Sequence, residues 1–305
     1  PSITLKGHRE RIEYMSYFPD GQRLISGSFD KTARKWDLRT GKEIVEARGD
    51  CEWMVVAVAV SRNGRWVATG GINWNTMDPE LKACEVETGI VKTFKGHSDE
   101  IACIDISADS MWLASGSHKT ARIWNLDTGK LVAGPFKSED SVGAVRFSSD
   151  SKKLAVKSYW GKHLEVWDVQ SQKLDVKVGE LSSIAGTDTP IFWTKNDKTI
   201  IAAFSFTGGD DVTTIYQFDA STLETVGTPF KGHTRRVISL ALSFDDALLA
   251  SASYDNTIKL WAFESRQLLA SFDSDIHRLV LSPNSRQLAY TTFKDNHNIF
   301  ICDIP

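Results

Sequence analysis

The chain is written in short apolar runs separated by turn residues, and residues 231–261 hold one full cycle of that pattern. Val237–Leu242 is an apolar run. Ser243-Phe244-Asp245-Asp246 breaks it with residues that favour turns over strands. Leu248–Ser253 is a second run, and Tyr254-Asp255-Asn256 breaks that one. In Thr257–Trp261 the apolar Ile258 and Leu260 alternate with Lys259 and Trp261. Period-two alternation in runs of five or six residues, split by Asp, Asn and Ser, predicts antiparallel strands. No run in this cycle has the length or the 3.6-residue period of a helix.

The same cycle recurs along the whole chain. Its third run closes at Trp36, Cys84, Trp124, Trp167, Phe218, Trp261 and Cys302, a spacing of roughly 40–50 residues. Unit one reads Ile12–Tyr17, a Pro19-Asp20-Gly21 turn, Arg23–Ser28, a Phe29-Asp30-Lys31 turn and Thr32–Asp37, with a fourth strand expected at Glu43–Ala47. Unit two reads Met54–Val60, Trp66–Gly70, a long loop Gly71–Pro79 and Leu81–Val86. Unit three has a shortened turn, His118-Lys119, before Thr120–Trp124. Unit four carries a Tyr159-Trp160-Gly161 turn. Unit five is the most divergent, with strands read at Pro190–Thr194, Thr199–Phe206 and Thr213–Asp219 and loops at Gly179–Asp188 and Thr207–Asp211.

Three units open with Gly-His (Gly7-His8, Gly96-His97, Gly232-His233) and two close with Trp-Asp (Trp36-Asp37, Trp167-Asp168). Trp124-Asn125 and Trp261-Ala262 are near matches. On these residues and this spacing the whole chain resembles the WD40-repeat β-propellers. The resemblance implies an all-β fold over residues 1–305 as one domain, a seven-bladed β-propeller of four-stranded antiparallel blades. Blade seven has only three runs up to Asp303, and Ile3-Thr4-Leu5 is a strand-like run ahead of the first Gly-His. The ring is therefore expected to close by the N-terminal strand pairing with the last blade, which covers two sheet edges at once.

Composition narrows the function classes. With 41% hydrophobic and 25% charged residues the 305-residue chain has ordinary globular composition. A net charge of −3 argues against a grip dominated by nucleic-acid phosphates, and Lys152-Lys153 and Arg235-Arg236 read as surface pairs. The longest apolar run, Trp53–Val60, is too short to span a bilayer. Four scattered cysteines, without C-x-x-C, are expected to be reduced thiols in a cytoplasmic or nuclear setting. No phosphate-binding loop is present, and His277, Asp295 and His297 do not have the spacing of a metal site. No cofactor or metal is expected.

Two units each contain Ser, His and Asp: His8, Ser26, Asp30 and Trp36 in unit one, and His233, Ser251, Asp255 and Trp261 in unit six. A catalytic triad would need an exposed nucleophile beside an oxyanion hole. The family resemblance implies a structural role, with Trp, Ser, His and Asp linked by hydrogen bonds inside a blade, and its appearance twice suits scaffolding. Unit three has His97, Ser115 and Trp124 but no Asp. The resemblance also implies that second-to-third-strand turns and first-strand starts line one rim where partners bind. These turns carry Phe29, Trp74, Tyr159, Trp160, Tyr254 and Phe293, where polar residues are the norm, and the strand starts add Glu13, Trp53, Arg235, Arg236 and His277. Aromatic residues and Arg are enriched in binding hot spots. The reading is a non-catalytic protein-interaction scaffold, a monomer as an isolated domain, binding a protein or peptide through Phe29, Trp74, Tyr159, Trp160, Tyr254, Arg235, Arg236 and Glu13. The alternatives are a hydrolase-like propeller enzyme or a sugar-binding module at the channel mouth.

Overall fold

Each period-two run pairs with the next, so every unit becomes an antiparallel sheet, and the sheets stand around a central channel. The computed structural model describes residues 2–44, 49–73, 75–159, 163–179, 189–206 and 212–304. In blade six, Val237–Leu242 lines the channel, and Leu248–Ser253, Thr257–Ala262 and Leu268–Asp273 follow outward. Blades two, three, four and seven also have four strands in line, and blade one adds a short fifth segment, Gly49–Asp50, beside Thr32–Asp37.

Both faces of each sheet are buried against neighbouring blades, which explains why the strands are so apolar. Seven buried clusters fill the seven interfaces. Trp66, Leu81, Ile101, Leu113 and Trp124 join blades two and three, for example, and Phe230, Val237, Leu249 and Trp261 join blades five and six. The second strands are rich in Gly, Ala and Ser because the next blade comes close there. A Cβ at Gly116 would lie 2.5 Å from Cys103 Sγ and from Val142 Cγ1.

The ring closes as the sequence predicted. Ile3–Lys6 pairs antiparallel with the third strand of blade seven, Ile3 opposite Ile301 and Leu5 opposite Ile299. Leu5 is fully buried among Ile12, Trp36, Ile299 and Ile301, so it ties blade seven to blade one.

Several boundaries differ. The loop read at Gly71–Pro79 is mostly strand: Trp66–Asn73 and Asp78–Glu85 pair to their tips, Gly71 opposite Glu80 and Ile72 opposite Pro79. Pro79 is tolerated because the outer strand Val91–Thr93 reaches only Lys82–Cys84, so no ladder partner is lost on that side. The outer strand of blade one is Lys42–Glu43, and residues 45–48 lie outside the described residues. In blade five the strands are Phe192–Trp193, Thr199–Ala203 and Ile215–Asp219. Its outer position is filled by residues 225–230, held by single bridges from Phe218 to Thr225 and from Ile215 to Phe230. Gly227 at φ +66° and Pro229, which has no N–H, prevent a regular ladder there.

Candidate functional site

In blade one the Trp36 indole N–H donates to Ser26 Oγ at 2.8 Å, and Ser26 Oγ lies 2.7 Å from His8 Nε2. His8 Nδ1 is 2.8 Å from Asp30 Oδ2. Asp30 also accepts the backbone N–H of Arg9 and of Thr32, and the Thr32 hydroxyl. Burial alone would raise the Asp30 carboxyl, but the His8 and Thr32 bonds outweigh it and hold it well below the usual carboxylate range. An ionised Asp30 makes Nδ1 the donor, so His8 Nε2 accepts the Ser26 proton and one chain runs Trp to Ser to His to Asp. Blade six repeats it: Trp261 to Ser251 at 3.0 Å, Ser251 to His233 at 2.8 Å, His233 to Asp255 at 2.9 Å. Asp255 is lowered to about 2: burial would raise it, but the Thr257, Thr234 and His233 bonds prevail. Ser26 and Ser251 are fully buried, so neither is an accessible nucleophile.

Blade three lacks the acid. Trp124 donates to Ser115 at 2.9 Å, and His97 Nε2 is 2.7 Å from Ser115. The other ring nitrogen faces the guanidinium Nη1 of Arg122 at 3.2 Å. Arg is only a donor, so His97 Nδ1 accepts and the ring proton sits on Nε2, the reverse of blades one and six. Burial, aided by Arg122, lowers His97 to about 3 and keeps it neutral. Blade four uses another device that the sequence reading missed. Glu165 accepts from both Trp167 Nε1 at 3.0 Å and Ser138 Oγ at 3.1 Å. The available signal was its position two residues before Trp167, where the other blades place Arg34, Arg122 and Lys259.

The rim lies directly above these chains. Phe29 precedes Asp30 and Tyr254 precedes Asp255, so in each turn one side chain turns in and its neighbour turns out. The Arg236 guanidinium sits 6.0 Å over Tyr254, Tyr254 stacks on Phe293 at 5.5 Å, and Phe293 meets the His277 ring at 5.0 Å. His277 Nε2 approaches Glu13 Oε1 at 4.0 Å. Arg278 donates to the same carboxylate, Arg11 pairs with its other oxygen at 2.8 Å, and the Arg11 guanidinium lies 4.6 Å over Phe29. This forms one connected arc from blade six through blade seven to blade one. Tyr254 is 43% and Tyr159 40% exposed. Phe29, Tyr159, Arg11 and Glu13 all line one vestibule of about 190 Å3 in the channel mouth. Arg235 is exposed beside Arg236.

Other sequence-predicted residues sit elsewhere. Glu13 and His277 are buried, and Glu13 serves to hold Arg11 and Arg278, not to face solvent. Trp53 is buried under the Lys82 ammonium. Trp74 and Trp160 lie outside the described residues. Phe206, read as the end of a strand, lies beyond it, 53% exposed and edge-on to Phe204 and Tyr216. Phe244, read only as a turn residue, is 61% exposed at the opposite mouth, with the Arg62 guanidinium 5.2 Å from its ring. His297 pairs with Asp295 at 3.3 Å while His277 faces Glu13 and Phe293. Among the described residues no three His, Cys, Asp or Glu side chains gather as a metal site.

Seven antiparallel blades closed by an N-terminal strand, with Trp–Ser–His–Asp chains inside the blades, define a β-propeller whose exposed chemistry is on its rims. The fold is that of a WD40-repeat β-propeller, and the family described as WD domain, G-beta repeat matches residues 1–37, 89–125 and 223–262. It is similar to eukaryotic translation initiation factor 3 subunit I of Bombyx mori, 30% identical over 63% of this chain and 59% of that protein. A guanine nucleotide-binding protein subunit beta of Arabidopsis thaliana is 23% identical over 85% of this chain and 82% of its own length. Cell division cycle 20.1, cofactor of APC complex, of Arabidopsis thaliana is 21% identical over 85% and 56% respectively. The chain thus spans a little under three fifths of the first and third of these relatives. All three are named as subunits or cofactors of larger assemblies.

Proposed function

We propose that this propeller is a non-catalytic interaction scaffold that receives a protein or peptide partner on the upper rim. The observation that carries the reading is the connected arc Arg236–Tyr254–Phe293–His277, continued through Glu13 to Arg11 and Phe29. It combines exposed aromatic surface with fixed cations at the mouth of the channel, the mixture that supports binding hot spots. The buried tetrads support the scaffold reading over a hydrolase: their serines are sealed from substrate, and their acids are consumed in holding the turns that present Phe29 and Tyr254. Naming of the relatives as components of assemblies supports a protein as the partner.

The test is affinity capture from the source cell with wild type and with a Phe29→Ala/Tyr254→Ala variant. Each anchor is worth about 2 kcal/mol, so the double change weakens a captured partner at least about a hundredfold. Substitutions at Asp20 and Asp150, in first-to-second-strand turns of the opposite face, leave binding unchanged. A partner bound equally by the double variant moves the site away from this rim.

A further inference from the structure

The three Gly-His units place different charges at one equivalent position, the residue just before the first-strand aliphatic: Arg11 before Ile12, Glu100 before Ile101 and Arg236 before Val237. In blades one and six this residue is a cation lying over the aromatic residue of its own blade's turn, Phe29 or Tyr254. In blade three it is an acid, and the turn offers His118 instead of a larger ring. Glu100 is half-buried and lines the same vestibule as Phe29 and Tyr159. Among the described residues no Lys, Arg or His pairs with its carboxylate. The arginines that share the vestibule are committed elsewhere. Arg11 is held by Glu13 and Phe29, Arg278 by Glu13 and by the carbonyls of Glu13 and Ile238, and Arg146 by Asp105 and the Phe192 ring. Burial, with Asp99 and Glu13 adding repulsion, pushes the Glu100 carboxyl above the ordinary glutamate range. A half-buried acid next to other acids, with no counter-charge among the described residues, is an unfavourable arrangement that an incoming cation relieves.

We propose that the vestibule takes a lysine or arginine side chain of the partner, its charge on Glu100 and its alkyl stem against the rings of Phe29 and Tyr159. The inference rests on the rim reading and specifies its partner: a peptide segment with a basic residue at its centre. Aromatic faces and a carboxylate together select a cation over an aliphatic or acidic side chain. The vestibule, about 190 Å3, is of side-chain size and not of domain size, so the partner inserts one residue and lays the rest along the rim.

The experiment selects binders from a displayed library of random dodecapeptides against the whole chain, then measures each against Tyr254→Ala, Glu100→Gln and Glu100→Lys proteins of unchanged melting temperature. The expected result is a set of peptides weakened by Tyr254→Ala that share a Lys or Arg. Replacing that residue by Ala weakens binding about tenfold or more on wild type and less than about threefold on Glu100→Gln. Glu100→Lys abolishes binding. Rim-dependent peptides that lack a basic residue, or whose basic residue is equally important on Glu100→Gln, overturn the inference and leave the rim reading standing. Binders indifferent to Tyr254→Ala, or no binders at all, overturn both.

Discussion

Blades one and six and blade three start from the same Gly-His and end at the same Trp, yet they hold their histidines by opposite means. In blades one and six an aspartate receives the ring proton and, through a second bond, the backbone N–H of Arg9 or Thr234. One carboxylate thereby ties the turn to the segment that leads into the channel, while the neighbouring Phe29 and Tyr254 make their own contacts with Arg11, Arg236 and Phe293. In blade three the turn Ser117-His118-Lys119-Thr120 is one residue shorter than Ser28-Phe29-Asp30-Lys31-Thr32, and the acid is gone. Arg122 fills the space and reverses the histidine tautomer, and on the rim above no cation among the described residues pairs with Glu100. The lesson is that the buried chain and the exposed rim are two outputs of the same turn. Altering its length changes both.

The largest expected effect comes from opening the ring on which both kinds of blade depend. Deleting residues 1–6 strips the outer strand from blade seven and removes the fully buried Leu5. Losing such a side chain alone costs about 2–5 kcal/mol, so the melting temperature is expected to fall by about 10 °C or more. An unchanged transition in the truncated protein would mean that the ring does not depend on this strand.

Asp255→Ala is next. It leaves the Nδ1 proton of His233 and the Thr234 N–H without their acceptor, at a cost of about 1–3 kcal/mol in denaturant unfolding. Asp30→Ala behaves alike. If neither variant moves the denaturation midpoint, the acid adds nothing that blade three lacks.

The contrast also sets a pH dependence. His97 is lowered to about 3 from 6.5, so the unfolded chain binds a proton that the folded chain refuses. Blade three therefore loses stability as pH falls from 6.5 toward 3. Asp255, lowered to about 2, keeps its full contribution above its unfolded value of about 3.9 and loses it only as pH falls from there toward 2. Acid softens blade three most: burial also lowers His8 and His233, but their aspartates oppose that shift, whereas Arg122 adds to it at His97. His97→Gln should flatten the stability profile between about pH 6.5 and 4, where the neutral amide cannot take the proton. A profile unchanged by that substitution places the acid sensitivity elsewhere.

The smallest effect sharpens the comparison by erasing it. Inserting Asp between His118 and Lys119 restores the turn length and the acid of blades one and six. Gaining one buried charged hydrogen bond is expected to stabilise by about 1 kcal/mol and to raise the pKa of His97, measured by its ring resonances. A fall in stability would mean that Arg122 and an aspartate cannot share the site.

The tetrads were legible because each is a fixed set of residue types at a fixed spacing within one unit, from His8 to Trp36 and from His233 to Trp261. Glu165 was not, because an acid on the third strand there takes the indole N–H of Trp167 in place of the second-strand Ser and the His. The hairpin over Gly71 and Pro79 was misread because both residues break strands in isolation, and only the short outer strand beside them makes Pro79 harmless. The aromatic turn residues were visible as a set, but their connection was not. Glu13 and Arg278 meet only after the ring has closed, and no local pattern announces that Glu13 will be buried. The exposed Phe244 was hidden by its neighbours Ser243, Asp245 and Asp246, which mark a turn whatever sits among them.

The most direct test of the division between buried scaffold and binding rim is a paired measurement on adjacent residues. Affinity for one rim ligand, a captured partner or a selected peptide, is measured for Tyr254→Ala and Asp255→Ala at a temperature where both are folded, beside their unfolding midpoints. The account predicts a crossover: Tyr254→Ala binds at least about tenfold more weakly with its midpoint within a few tenths of a kcal/mol of wild type, while Asp255→Ala unfolds about 1–3 kcal/mol more easily and binds within about threefold of wild type. Parallel losses of affinity and stability in both variants, or full affinity in Tyr254→Ala, would contradict it.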